Sequence, residues 1–134
     1  MPQAMSRSIL PAAVLAALAG LLGGCGADDV FRTDRPILRV TLDEYRIVPQ
    51  NVVIKAGRMK FAVRNTGRLT HNLVIQIPDG PGDKPIEIAR VGTMQPGETA
   101  EPIKVDLKPG EYRLVCTIAN HDDLGQYGEL EATG

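Results

Sequence analysis

From Pro36 onward the chain never runs far before a glycine or proline interrupts it, and this punctuation is the strongest constraint on its fold. The β-rich stretches between interruptions are Ile37–Leu42, Tyr45–Val48, Val52–Lys55, Met59–Arg64, Asn72–Ile77, Ile86–Val91, Ile103–Leu107, Tyr112–Cys116 and Tyr127–Glu131. The interruptions include Asn65-Thr66-Gly67, Pro78-Asp79-Gly80-Pro81-Gly82, Gln95-Pro96-Gly97-Glu98 and Lys108-Pro109-Gly110-Glu111. Proline fixes φ and glycine supplies positive φ, so such pairs reverse the chain at little cost. Ile103-Lys104-Val105-Asp106-Leu107 alternates apolar with polar residues, the pattern of a strand with one buried and one wet face. No stretch sustains a helical period. Many short strands at this spacing predict an all-β sandwich or barrel of antiparallel strands over residues 36–134.

Composition narrows the function. A chain of 134 residues has room for one domain, and a hydrophobic content of 43% suffices for its core. The net charge of −1 and the lack of any Lys/Arg run interleaved with aromatics argue against nucleic-acid binding. Two cysteines cannot build a disulfide scaffold or a four-thiolate zinc site, and two histidines exclude a three-histidine metal centre.

The first residues read as an address. Arg7 is followed by the apolar stretch Ile9–Leu22, which is shorter than the roughly 20 residues a bilayer span needs. It ends in Leu22-Gly23-Gly24-Cys25, which resembles a bacterial lipobox. The resemblance implies a signal peptide over 1–24, lipidation of Cys25 and attachment to a membrane outside the cytoplasm, facing periplasm or cell exterior. Residues 25–35, the lipidated cysteine and a polar stretch, are expected to form a tether.

With Cys25 assigned to lipid, Cys116 is the remaining thiol. It ends a strand and opens the loop Cys116-Thr117-Ile118-Ala119-Asn120-His121-Asp122-Asp123-Leu124-Gly125-Gln126. The other histidine, His71, begins a strand. Counting strand directions from His71 through the antiparallel succession brings His71, Cys116, His121 and Gln126 to one pole, together with the turn at Met94. Two imidazoles, one thiolate and a weak axial ligand are the donor set of a mononuclear blue-copper site. Zinc also accepts two nitrogens and a sulfur, although a structural zinc site more often adds a second cysteine or a third histidine. For the axial place Gln126 is preferred over Met94. Met94 and Leu124 are instead expected as apolar cover that excludes water.

Over Ile37–Ala132 the sequence resembles the cupredoxins, small blue-copper proteins with a Greek-key β-sandwich. The resemblance rests on His71-Asn72 at a strand start, on Pro96-Gly97-Glu98-Thr99, on Pro109-Gly110-Glu111-Tyr112 leading to Cys116, and on the spacing Cys116-x4-His121-x4-Gln126 followed by Tyr127-Gly128. It implies that His71, Cys116 and His121 bind one copper ion, that Asn72 ties the two ligand segments together, and that His121 is the electron port. Many cupredoxins carry methionine where this chain has Gln126; axial glutamine is similar to the stellacyanin-like branch, whose additional disulfide this chain lacks. A harder amide oxygen is expected to favour Cu(II). Asp122 and Asp123 flank the port and suit docking to a basic redox partner. The expected function is electron transfer by a membrane-anchored monomer that transforms no substrate. The alternative is copper trafficking or delivery.

Overall fold

The computed structural model describes residues 29–134. Ten strands follow one another: β1 (Val30–Thr33), β2 (Ile37–Asp43), β3 (Arg46–Val48), β4 (Asn51–Lys55), β5 (Gly57–Asn65), β6 (His71–Ile77), β7 (Ile86–Met94), β8 (Ile103–Leu107), β9 (Gly110–Val115) and β10 (Tyr127–Thr133). They pair into a six-stranded sheet, β1-β4-β10-β9-β6-β7, and a four-stranded sheet, β3-β2-β5-β8. The all-β sandwich expected from the turn spacing is thus present. The hairpin neighbours pair antiparallel, but β1 with β4, β4 with β10, and β2 with β5 run parallel. Each parallel pair joins strands that are not consecutive, because the chain crosses between sheets before returning.

Alternation builds the core. In β2 the residues Leu38, Val40 and Leu42 are buried, and in β5 Met59, Phe61 and Val63. Across from them Leu73, Ile75, Leu114 and Leu130 close the interior. Each such side chain contributes about 1.5–3 kcal/mol by leaving water. β6 departs from simple alternation, since His71 through Ile75 are all buried. Leu73 and Ile75 enter the core, while Asn72 and Val74 on the opposite face are covered as well.

The tether expected over residues 25–35 is corrected in part. Val30–Thr33 is a strand, pairing in parallel register with Asn51–Ile54. Pattern reading missed it because Val30, Phe31 and Arg32 are exposed, so no buried apolar period marks the segment. Main-chain hydrogen bonds to the sheet edge hold it instead. The ordered domain therefore begins before Pro36. The proposed signal over 1–24 and Cys25 lie outside the described residues. Among the described residues no helix is long and apolar enough to cross a membrane.

Candidate metal centre

Three strand ends meet at one pole. His71 is the first residue of β6, Cys116 follows the last residue of β9, and Gln126 precedes β10. β6 and β9 are antiparallel neighbours with Val74 opposite Val115, so the start of one lies beside the end of the other. The Cys116 Sγ lies 3.9 Å from His71 Nδ1 and 3.7 Å from His121 Nδ1. All three ligating atoms lie within 4.8 Å of one another. Cys116 is a free thiol and fully buried, as is His71, while His121 is half-buried.

The loop between β9 and β10 is a series of tight turns. His121 N donates to Ile118 O at 3.1 Å and Gln126 N to His121 O at 2.9 Å. Cys116 N donates to Gln126 O at 3.1 Å, which closes the loop at its base. Gly125 adopts φ 111°, and a Cβ there would stand 3.1 Å from the carbonyl oxygen of Tyr45. Glycine is needed because the loop must press against the β2–β3 turn.

Gln126 is the most telling side chain. It is fully buried, and its Nε2 donates to Asp43 O at 2.8 Å, which fixes which end of the amide is which. Its Oε1 has no hydrogen-bond partner. A buried acceptor without a partner costs about 1–3 kcal/mol, so a native fold keeps one where something else is to fill the place. His71 is pushed below its ordinary value of 6.5, first by burial and then by the neighbouring His121, with the Glu44 and Asp43 carboxylates opposing. This direction favours the neutral imidazole, the form that ligates a metal.

No protein-family model and no curated protein sequence matches the chain. Solved structures do. Dithionite-reduced auracyanin from the photosynthetic bacterium Roseiflexus castenholzii superposes with a TM-score of 0.65 at 21% identity, covering 76% of this chain and 100% of that one. Auracyanin A of Chloroflexus aurantiacus, a "blue" copper protein, gives 0.58 at 18% identity over 72% of this chain and 99% of that one. Rusticyanin from Thiobacillus ferrooxidans gives 0.61 at 16% identity over 81% and 84%. This chain has the cupredoxin fold.

Within that cupredoxin fold the remaining expected residues take distinct places. Asn72 Nδ2 donates to Thr117 Oγ1 at 2.9 Å, and its Oδ1 accepts from Thr117 N at 2.8 Å. It thus fastens the start of β6 to the residue after Cys116. Met94 is the ladder partner of His71, but its side chain belongs to the buried apolar cluster. Between His71 and Leu73 the β6–β7 register shifts, a bulge of the kind that re-aims side chains beside functional sites. Leu124, expected as apolar cover, is 50% exposed and stands outside the buried apolar cluster. Asp122 is half-buried and Asp123 exposed, both beside His121.

Sequence reading did not single out the residues that brace this pole. Asn65 is fully buried; its Nδ2 donates to Leu69 O at 2.8 Å and Met94 O at 3.0 Å, and its Oδ1 accepts from Gly67 N at 2.9 Å. It ties the segment entering His71 to the end of β7. The signal was present in Asn65-Thr66-Gly67, a turn that the spacing alone treats as a separator. The β2–β3 turn carried no signal. There Tyr45 adopts φ 56°, a conformation that costs a non-glycine residue about 1–2 kcal/mol. Its ring meets that of His121 edge-on, with centroids 5.5 Å apart.

Proposed function

We propose that this chain is a one-electron carrier in which His71 and His121, through Nδ1, and Cys116, through Sγ, would hold one copper ion, with Gln126 Oε1 as a fourth, weaker ligand. The observation that carries the reading is the convergence of two nitrogens and a sulfur within 4.8 Å, at a pole where a buried amide oxygen stands without a partner. That donor set suits copper: thiolate favours Cu(I), and imidazole accepts both oxidation states. Bound copper supplies a Cu(II)/Cu(I) couple. The protein contributes a rigid frame, since the ligands stand at sheet ends and Asn72 cross-braces two of their segments. The half-buried His121 offers the way out to a partner, with Asp122 and Asp123 positioned to favour a basic docking surface. The likeness in fold to auracyanin and rusticyanin supports the reading. No substrate is transformed. The carrier acts as a monomer after export, held to a membrane by lipid on Cys25 once residues 1–24 are removed.

The test is to titrate the purified chain with Cu(II). A thiolate-to-copper charge-transfer band is expected in the visible range, lost entirely in Cys116→Ser with the β-sheet signature unchanged. A colourless titration of the native chain overturns the copper reading. Gln126→Met tests the axial place: a softer donor should raise the reduction potential, and an unchanged or lowered potential removes Gln126 from the ligand set.

A further inference from the structure

The ligands belong to one sheet, but a single turn of the other sheet reaches three of them. Between β2 and β3, Asp43 O receives the Gln126 amide, Tyr45 places its ring edge on His121, and Glu44 lies beneath His71. Glu44 is the one whose role the ligand set does not explain. Its Oε1 accepts from the backbone N–H groups of Arg68 and Leu69, the latter at 3.0 Å. The same oxygen lies 3.8 Å from His71 Nε2. That nitrogen is buried and has no hydrogen-bond partner.

We propose that Glu44 is a positioning residue for the metal centre: its anchored carboxylate holds the His71 proton on Nε2 and so leaves Nδ1 free to ligate. The inference rests on the metal reading above. A neutral imidazole carries one proton on either nitrogen, and the neighbour of each decides which. Nε2 faces an anionic oxygen, where an N–H is favoured and a lone pair is repelled. Nδ1 faces the Cys116 sulfur, at 3.9 Å, a weak acceptor, with the candidate ligand nitrogen of His121 within 4.8 Å; neither neighbour carries the full negative charge that Glu44 presents to Nε2. A carboxylate behind a ligating histidine fixes both tautomer and ring orientation.

Gly67 makes the approach feasible. A Cβ at that position would overlap Glu44 Oε1 and stand 3.2 Å from His71 Nε2. The overlapped atom is the tip of a flexible side chain, so Gly67→Ala is expected to push the carboxylate away from the ring while keeping its charge in the protein.

The experiment is nitrogen-15 NMR of the His71 ring in the metal-free whole chain, paired with zinc(II) and copper(II) titrations of the same samples. The native chain should show the Nε2–H tautomer. Glu44→Ala should give a tautomer mixture and about a 10- to 100-fold loss of affinity for either ion. Glu44→Gln, whose amide oxygen still accepts from Arg68 and Leu69, should fall between, and Gly67→Ala should resemble Glu44→Ala. A residue that only clamps the loop would change thermal stability and leave the tautomer alone. An Nδ1–H tautomer in the native chain, or a tautomer indifferent to all three substitutions, overturns the proposal. Failure of the native chain to take up either ion, with the tautomer still shifted by the substitutions, overturns the metal reading and upholds the Glu44–His71 link.

Discussion

The two sheets divide the work unequally. The six-stranded sheet carries every proposed ligand: His71 opens β6, and Cys116, His121 and Gln126 lie between β9 and β10. The four-stranded sheet supplies none, yet its β2–β3 turn touches His71, His121 and Gln126. Donor atoms have to come from strands whose ends are fixed relative to one another. The rotation of each donor can be set by groups outside that frame. The difference teaches that the identity of the ligands and their orientation are encoded in separate parts of the chain.

The largest effect on stability should come from the supporting sheet. Phe61, in β5, is fully buried at the centre of the core. Phe61→Ala should destabilise the domain by about 3–5 kcal/mol, the transfer loss plus the cavity left behind. Chemical denaturation of the metal-free chain measures this. If the division between sheets is real, whatever folded fraction remains should still form the thiolate-to-copper band. A variant that stays folded but loses the band would show that the four-stranded sheet does more than support.

Asn72→Ala attacks the bracing within the ligand-bearing sheet and should cost less, about 1–3 kcal/mol. It removes both hydrogen bonds to Thr117 and leaves the Thr117 N–H without its acceptor. Denaturant midpoints give the stability loss. Faster copper release than in Phe61→Ala, despite the smaller loss of stability, would sharpen the comparison. Equal release rates would mean that ligand geometry follows global stability and nothing local.

The same division explains what could be read from the sequence. The succession of strands after Pro36 and the common pole were readable because turns made of glycine and proline set chain direction, and direction decides which strand ends coincide; the order within each sheet was not, since direction does not say which strands pair. His71, Cys116, His121 and Gln126 stood out because few residue types can ligate a metal and this chain has so few of them. β1 was not readable, since its exposed side chains carry no burial pattern and its pairing is made by backbone. Glu44 and Tyr45 were not readable for a different reason. Glutamate and tyrosine are ordinary turn-edge residues, and what matters here is a reach between sheets that pairing patterns do not encode. Asn65 lies between these cases, because its turn was visible but the carbonyls it would gather were not.

The smallest effect, and the most direct reading of the contest between sheets, is the pH dependence of the metal-free chain. Burial and His121 push the His71 pKa down, whereas Glu44 and Asp43 of the β2–β3 turn pull it up, and the net shift is downward from 6.5. Above about pH 6.5 the residue is neutral in both states, and its contribution to stability is complete. As pH falls below 6.5, the unfolded chain binds a proton that the folded chain resists. Unfolding is then favoured, and stability declines until the pH passes below the folded value, where the loss levels off. Denaturant midpoints between about pH 7 and pH 5, above the range where most carboxylates titrate, should therefore fall with falling pH. His71→Asn should flatten that segment of the profile. A stability that instead rises as pH drops through this window would mean that the carboxylates of the supporting sheet outweigh burial, and that the histidine enters the fold as a cation.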